Sequence, residues 1–412
     1  MSRRFGVFLL SLFMIFAGLV SFSGTAGAAP LTLIVNGNDV TVDSAPYLKD
    51  GRTMVPIKFV SDALGYKIEW LGASKEVKIT KGNQTLWLKI GSKTMYADAQ
   101  KKRAVALDTA PEIKDGRTMV PARAITEAFG GTVSWEPTAK VASIITYKAE
   151  PYPKKEIVVG LIPSQEAQSL QDKAKPLAGM LSKYLGITVK TYVGTDYTAT
   201  IEAIGAKQVD VGMFGPQSYV LAHDKGYADV LLASIRNGSK TYRSQIVVAN
   251  DSPIRSIKDL KGKKIAFVDP ASTSGYVYPV AMLKEAGLDT DKDVKLIEAG
   301  GHDKTILALL RGDVDAAFSF DDARTVVEKS DPDVMKKTRI LAKSDPIPND
   351  VMSVRSDLSN YWRAKIKEAF KLVSLTDEGK KELKAIYNID GFADASDSEY
   401  DVVRRTYRLI GQ

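Results

Sequence analysis

Eight consecutive residues occur twice in this chain. Lys49-Asp50-Gly51-Arg52-Thr53-Met54-Val55-Pro56 returns letter for letter, 65 residues later, as Lys114-Asp115-Gly116-Arg117-Thr118-Met119-Val120-Pro121. Self-similarity of this kind marks a duplicated structural unit. Each copy runs on into a stretch with helical apolar spacing, Ile57 to Leu64 and Ala122 to Phe129. A glycine break follows, then a strand-like piece holding Trp70 or Trp135. Asp-Gly supplies a tight turn, and proline at a helix start forfeits no hydrogen bond. Between the copies, Glu76 to Thr80 and Thr85 to Ile90 alternate with the period of half-buried strands. Residues 30–148 are therefore expected to form an α+β domain of two repeats. Arg52 and Arg117 are read as turn-bracing ion pairs or surface charge, since charged side chains are mostly solvated.

The repeated D-G-R-T-M-V-P resembles the stalk domain named after the N-terminal part of copper amine oxidases. The resemblance carries no copper chemistry, because the chain has only His223 and His302 and no cysteine. Disulfides, thiolate catalysis and a lipid-bearing cysteine are excluded on the same ground. The module is expected to act as a spacer or cell-wall contact.

Ahead of it, Arg3 and Arg4, an apolar run from Phe5 to about Val20 and the ending Ala26-Gly27-Ala28-Ala29 read as a signal peptide, residues 1–28, cleaved after Ala28. An extracytoplasmic protein is expected. The formal charge of +8 drops to +6 without Arg3 and Arg4, and the remainder reads as spread along the chain. With no compact basic stripe interleaved with aromatics, no nucleic-acid partner is expected.

Residues 149–155, with Pro151 and Pro153, read as a stiff linker. From Glu156 the grammar changes. Apolar strand-like runs (Ile157 to Ile162, Ile187 to Val193, Val209 to Phe214) alternate with helical stretches (Ala167 to Leu185, Tyr197 to Gly205). The alternation resumes with Ile246 to Ala249, Lys264 to Val268 and Ala316 to Phe320, and the C-terminal part reads as mostly helical. Two α/β lobes over residues 156–412 are expected, the second spanning roughly 246–347. Ligands of such folds sit outside the carboxyl ends of strands, where helices begin.

One such junction is Asp269-Pro270-Ala271-Ser272-Thr273-Ser274-Gly275. Free N–H groups at a helix start, with three hydroxyls, make an anion site; an ordinary N-cap is the plainer reading of the same residues. Together with Gly194-Thr195-Asp196-Tyr197, Asp210 to Pro216, Ser256 to Lys263 and Ala299-Gly300-Gly301-His302, this motif resembles the phosphate/phosphite/phosphonate-binding proteins of ABC importers. The resemblance covers residues 155–412 and implies a two-lobed type 2 periplasmic-binding fold. It further implies a ligand shell of Tyr197, Tyr242, Ser272, Thr273, Ser274, Gly275 and His302, with carboxylates at Asp350 and Asp322. Asp321 is left open as the alternative to Asp322. Gln165 and Tyr219 are further cleft candidates, and His223 is read as structural.

Hydroxyls, imidazole and backbone N–H groups donate to phosphoryl oxygens, whereas a carboxylate accepts from P–OH or meets an ammonium group. The expected function is capture of a small phosphorus oxyanion for an ABC permease, by a monomer without metal or cofactor. A cell-surface sensor for the same ligand is the alternative. An enzyme is not expected, because no G-x-S-x-G elbow accompanies the serines.

Overall fold

The computed structural model describes residues 31–41 and 44–411. The expected signal peptide lies outside them. No helix among the described residues is long and apolar enough to cross a membrane.

The two repeats meet at their identical segments. Strands Arg52–Pro56 and Arg117–Pro121 pair antiparallel with Val55 opposite Val120, Met54 opposite Pro121 and Pro56 opposite Met119. Val55 and Val120, one repeat apart, face one another, and the flanking pairs swap roles across them, so the copies are related by a local two-fold axis through the valine pair. Each strand hairpins with the one before it across Asp-Gly. Asp50, Gly51, Asp115 and Gly116 all have φ between 51° and 72°, the left-handed pair a two-residue type I′ turn requires. Arg52 reaches across the dyad, its Nε donating to Asp108 at 2.6 Å. An ion pair that braces a turn is what the arginine in this copy provides.

Helices Ile57–Asp62 and Ala122–Ala128 start directly after the two prolines. Two further sheets complete the domain. Strands Lys67–Leu71, Glu76–Lys81, Gln84–Lys89, Thr94–Tyr96 and Ala104–Ala106 form a five-stranded meander. The other sheet is four-stranded, with Val141–Ile145 buried along its whole length in its interior.

That buried strand belongs to an interface that docks the domain on the rest of the chain. Ile34 and Val141 pack on Leu372 of helix Asn360–Leu375. Ser134 donates to Glu368 at 2.6 Å, Lys371 to Asp39 at 2.8 Å and Lys367 to Asn38 at 2.7 Å, while Tyr184 donates to Glu136 at 3.0 Å. At Gly37, φ +77°, a Cβ would collide with the Lys367 side chain at 2.7 Å. All these partners belong to the first lobe.

The lobes repeat one topology. The first-lobe sheet runs Thr188–Val193, Glu156–Leu161, Val211–Phe214, Val351–Arg355, Ala228–Ile235, Gly391–Asp394; the second runs Lys295–Glu298, Lys264–Phe267, Ala316–Phe320, Ser244–Ala249, Thr338–Lys343. Three parallel strands in each are followed by one that arrives antiparallel from the other side of the hinge. The two crossings zip together as a short ribbon, Thr241 opposite Pro348 and Tyr242 opposite Ile347. Helices cover both sheets, as parallel strands buried on both faces demand.

Candidate functional site

Four hydrogen bonds join the lobes over the S-T-S segment. Tyr197 N donates to Asp269 Oδ2 at 3.2 Å, Gln217 N to Thr273 Oγ1 at 2.8 Å, Ser218 Oγ to the Ala271 carbonyl at 3.0 Å, and His302 N to the Ser164 carbonyl at 2.9 Å. Tyr197 opens helix Tyr197–Gly205, and His302 opens His302–Leu310. The first turn of each helix therefore faces the opposite lobe.

Ser272 caps the π-helical turn Thr273–Val277, its Oγ accepting from Gly275 N at 3.1 Å. The capping reading thus holds for one serine of the three. Such turns put extra backbone into a helix and recur at functional sites. Gly275 is required by packing, since a Cβ there would meet Val268 at 2.3 Å. The Tyr197 hydroxyl interacts with Ser272, and the Tyr242 hydroxyl, on the hinge ribbon, with Ser274 and Thr273. Burial drives both phenols far above their usual range, and Asp350 adds to the effect on each. They are neutral donors at any physiological pH.

His302 is buried, its ring set edge-on to Phe320 at 4.8 Å and its Nδ1 2.8 Å from Ser319 Oγ. Burial, assisted by Arg236, pulls its pKa down to about 3, so the imidazole is neutral. Asp350 is half-buried and bonded to Arg236, whose other nitrogens donate to Asn349 Oδ1 at 3.1 Å and the Tyr387 carbonyl at 2.8 Å. Each of the three guanidinium nitrogens thus has one protein partner. The site holds a compensated Arg236–Asp350 pair within a ring of neutral donors.

The structure thus brings together Tyr197, Tyr242, Ser272, Thr273, Ser274, Gly275, His302 and Asp350. It leaves Asp322 outside. That residue lies in the turn after strand Ala316–Phe320, at φ +64°, with its exposed side chain paired to Arg324 at 3.0 Å. Asp321 accepts from Arg243 N at 3.2 Å and lies 3.9 Å from Lys343 Nζ. Neither carboxylate touches the cluster. Tyr219 is buried against Tyr400 and donates to Asp397, and His223 contacts the Ala228 carbonyl.

Several residues of the cluster carried no signal in the sequence. Arg236 sits at a hairpin turn and reads as surface charge; Tyr387, whose hydroxyl donates to the Ile162 carbonyl at 2.8 Å, reads as the end of an amphipathic helix. Gln217 and Gln245 are fully buried with both amide atoms unpartnered. Gln217 adjoins Thr273 through its backbone, and Gln245 lies opposite Ser319 in the second-lobe sheet. Two such amides beside a polar cluster point to a missing polar partner. Among the described residues no group of three or more His, Cys, Asp or Glu could hold a metal ion.

Two hinge-linked α/β lobes meeting over a buried cluster of neutral donors define a two-lobed solute-binding protein. The chain belongs to the ABC transporter phosphonate periplasmic substrate-binding protein family, whose sequence model matches residues 159–400. Residues 34–144 match the copper amine oxidase N-terminal domain. The phosphate-import protein PhnD of Mycolicibacterium smegmatis is 33% identical over 286 residues, 64% of this chain and 88% of that protein. The phosphonates-binding periplasmic protein of Escherichia coli is 29% identical, covering 57% of this chain and 70% of its own length. Among solved structures, PhnD1 of Prochlorococcus marinus in complex with methylphosphonate superposes with a TM-score of 0.56 at 23% identity, over 62% of this chain and 98% of that one. The relatives in this family are substrate-binding proteins of ABC transporters, and the chain is not an enzyme.

Proposed function

We propose that the protein captures a phosphonate or a related phosphorus oxyanion outside the cytoplasm and presents it, enclosed between its lobes, to an ABC permease. The observation that carries this reading is the convergence of Ser272, Thr273, Ser274, Tyr197, Tyr242 and neutral His302 beneath a layer of cross-lobe hydrogen bonds. A tetrahedral head group needs several donors on different sides, and these come from both lobes and the hinge. The unpartnered amides of Gln217 and Gln245 each offer a donor and an acceptor, which suits a head group that retains a proton. Arg236, the cation bonded to Asp350, is already charge-compensated, which suits a head group carrying a single negative charge. Asp350, whose Oδ2 is held by Arg236, is assigned the role of meeting an ammonium tail through its other oxygen.

Because the cross-lobe bonds and the ligand share one surface, ligand and closure stabilise each other. The related proteins are named for phosphate, phosphonates and phosphite, so the head group is the common element. Calorimetry on folded, ligand-free protein with methylphosphonate, 2-aminoethylphosphonate, phosphite and phosphate tests the reading. Heat of binding with at least one is expected; silence with all four overturns it.

A further inference from the structure

The excess charge that looks dispersed along the sequence is concentrated by the fold. Residues 67–106, the five-stranded meander of the N-terminal domain, hold nine lysines and arginines against three carboxylates, a net +6. Residues 31–148 as a whole carry +5 and residues 149–412 carry +1. One small sheet accounts for the basicity of the molecule.

Register shows where the charges go. The outward rows are Lys67–Thr80–Thr85, Glu69–Lys78–Trp87–Tyr96 and Leu71–Glu76–Lys89, while Val77, Ile79, Leu86 and Leu88 face the core. Lys78 and Lys101 have Glu69 and Glu76 as partners, at 3.5 and 2.6 Å. Lys67, Lys75, Lys89, Lys93 and Lys102 are exposed and form no ion pair among the described residues. The Ile90 N to Lys75 carbonyl bond, 3.0 Å, gathers Lys75, Lys89 and Lys93 at one end of the meander. Antiparallel alternation puts Lys67 and Lys102 at the other.

We propose that this sheet is a docking surface for an anionic wall polymer carrying repeated phosphodiesters. Eight of the nine cations are lysines. These are compact point charges that follow a flexible phosphate chain without the bidentate geometry arginine imposes. A bilayer is the poorer fit, because surfaces that bind membranes pair basic residues with apolar anchors, and Trp70 is the one exposed large apolar side chain of this sheet among the described residues. The surface lies in the N-terminal domain, apart from the ligand cluster, so this proposal stands independently of the ligand reading.

The test uses the whole mature chain and three probes: poly(glycerol phosphate), a phosphate-free carboxylated polysaccharide, and vesicles of neutral and anionic phospholipid. Salt-sensitive binding to poly(glycerol phosphate) is expected to exceed binding to the other two. Combined Lys67→Glu, Lys89→Glu and Lys93→Glu should weaken it at least about tenfold, while Lys295→Glu, Lys329→Glu and Lys380→Glu, the same change in net charge on exposed lobe positions, leaves it within about twofold. Melting temperature and circular dichroism report that each variant is folded; if the reversals unfold the domain, the corresponding Lys→Gln variants carry the comparison. Equal losses in both sets, no binding by the native chain, or stronger binding to vesicles or polysaccharide overturns the proposal.

Discussion

The Nδ1 nitrogen of His302 lies 2.8 Å from the Oγ of Ser319, and the imidazole between them and the lobe boundary is neutral. An oxyanion site needs the ring proton on Nε2, which requires Ser319 to donate to Nδ1. Ser319→Ala should therefore weaken ligand binding by about 1 kcal/mol, some fivefold, without unfolding the protein. Nitrogen NMR of the two histidines reads the tautomer directly: loss of a single protonated Nε2 state at His302 is expected in the variant, and an unchanged tautomer refutes the assignment.

The depressed pKa of His302 has a consequence for stability. Its folded-state value of about 3 lies below the ordinary histidine value, so the unfolded chain takes up the proton first. The contribution is present above about pH 6.5 and is lost as pH falls from there towards 3. It amounts to at most about 5 kcal/mol over that window, at about 1.4 kcal/mol per unit. Chemical denaturation at stepped pH should show a shallower acid loss for His302→Gln than for the native chain, and parallel curves would contradict this.

Asp350 and Asp322 should separate cleanly. Asp350→Asn is expected to lower affinity for 2-aminoethylphosphonate more than for methylphosphonate, since only the former carries an ammonium group for the carboxylate. Asp322→Asn, at a solvent-facing pair with Arg324, should leave both affinities within about twofold. Calorimetric titration of the two ligands into both variants settles the matter, and the reverse pattern would restore Asp322 as the tail residue.

Glu368 is buried where the N-terminal domain meets the first lobe, and burial raises its carboxyl pKa, with Ser134 opposing. A folded-state pKa above the unfolded one gives a contribution present below the ordinary carboxylate range and lost as pH rises through the folded value. Glu368→Gln keeps a partner for Ser134 without a buried charge, so at pH 7 it should match or exceed native stability. Glu368→Ala should cost about 1–3 kcal/mol, chiefly by leaving the buried site underpacked. Thermal melts of the pair provide the check.

What could be read from the sequence follows from whether the signal was local. The repeat, the alternating strands and helices, and the strand-to-helix junction at Asp269 to Gly275 are local patterns, and each appears in the fold. Strands Val351–Arg355 and Ala228–Ile235 were not distinguished, because their pairing partners lie more than a hundred residues away. Arg236, Asn349 and Tyr387 meet only in three dimensions. Asp322 lies away from the cluster because it sits at φ +64° in the turn after strand Ala316–Phe320, a backbone detail that residue types alone do not specify. The basic sheet escaped notice for a related reason: lysines scattered over forty positions become one surface only when the meander folds.

All the hydrogen bonds described between the N-terminal domain and the rest of the protein fall on the first lobe, through Tyr184, Lys367, Glu368 and Lys371. The second lobe is tied to that assembly through the hinge ribbon and the cross-lobe bonds. Under the proposed opening of the cleft, the N-terminal domain would stay with the first lobe while the second lobe moves. A molecule held by its N-terminal domain would work like a fixed jaw and a moving one, its mouth kept at a constant bearing to the surface that holds it while ligand comes and goes.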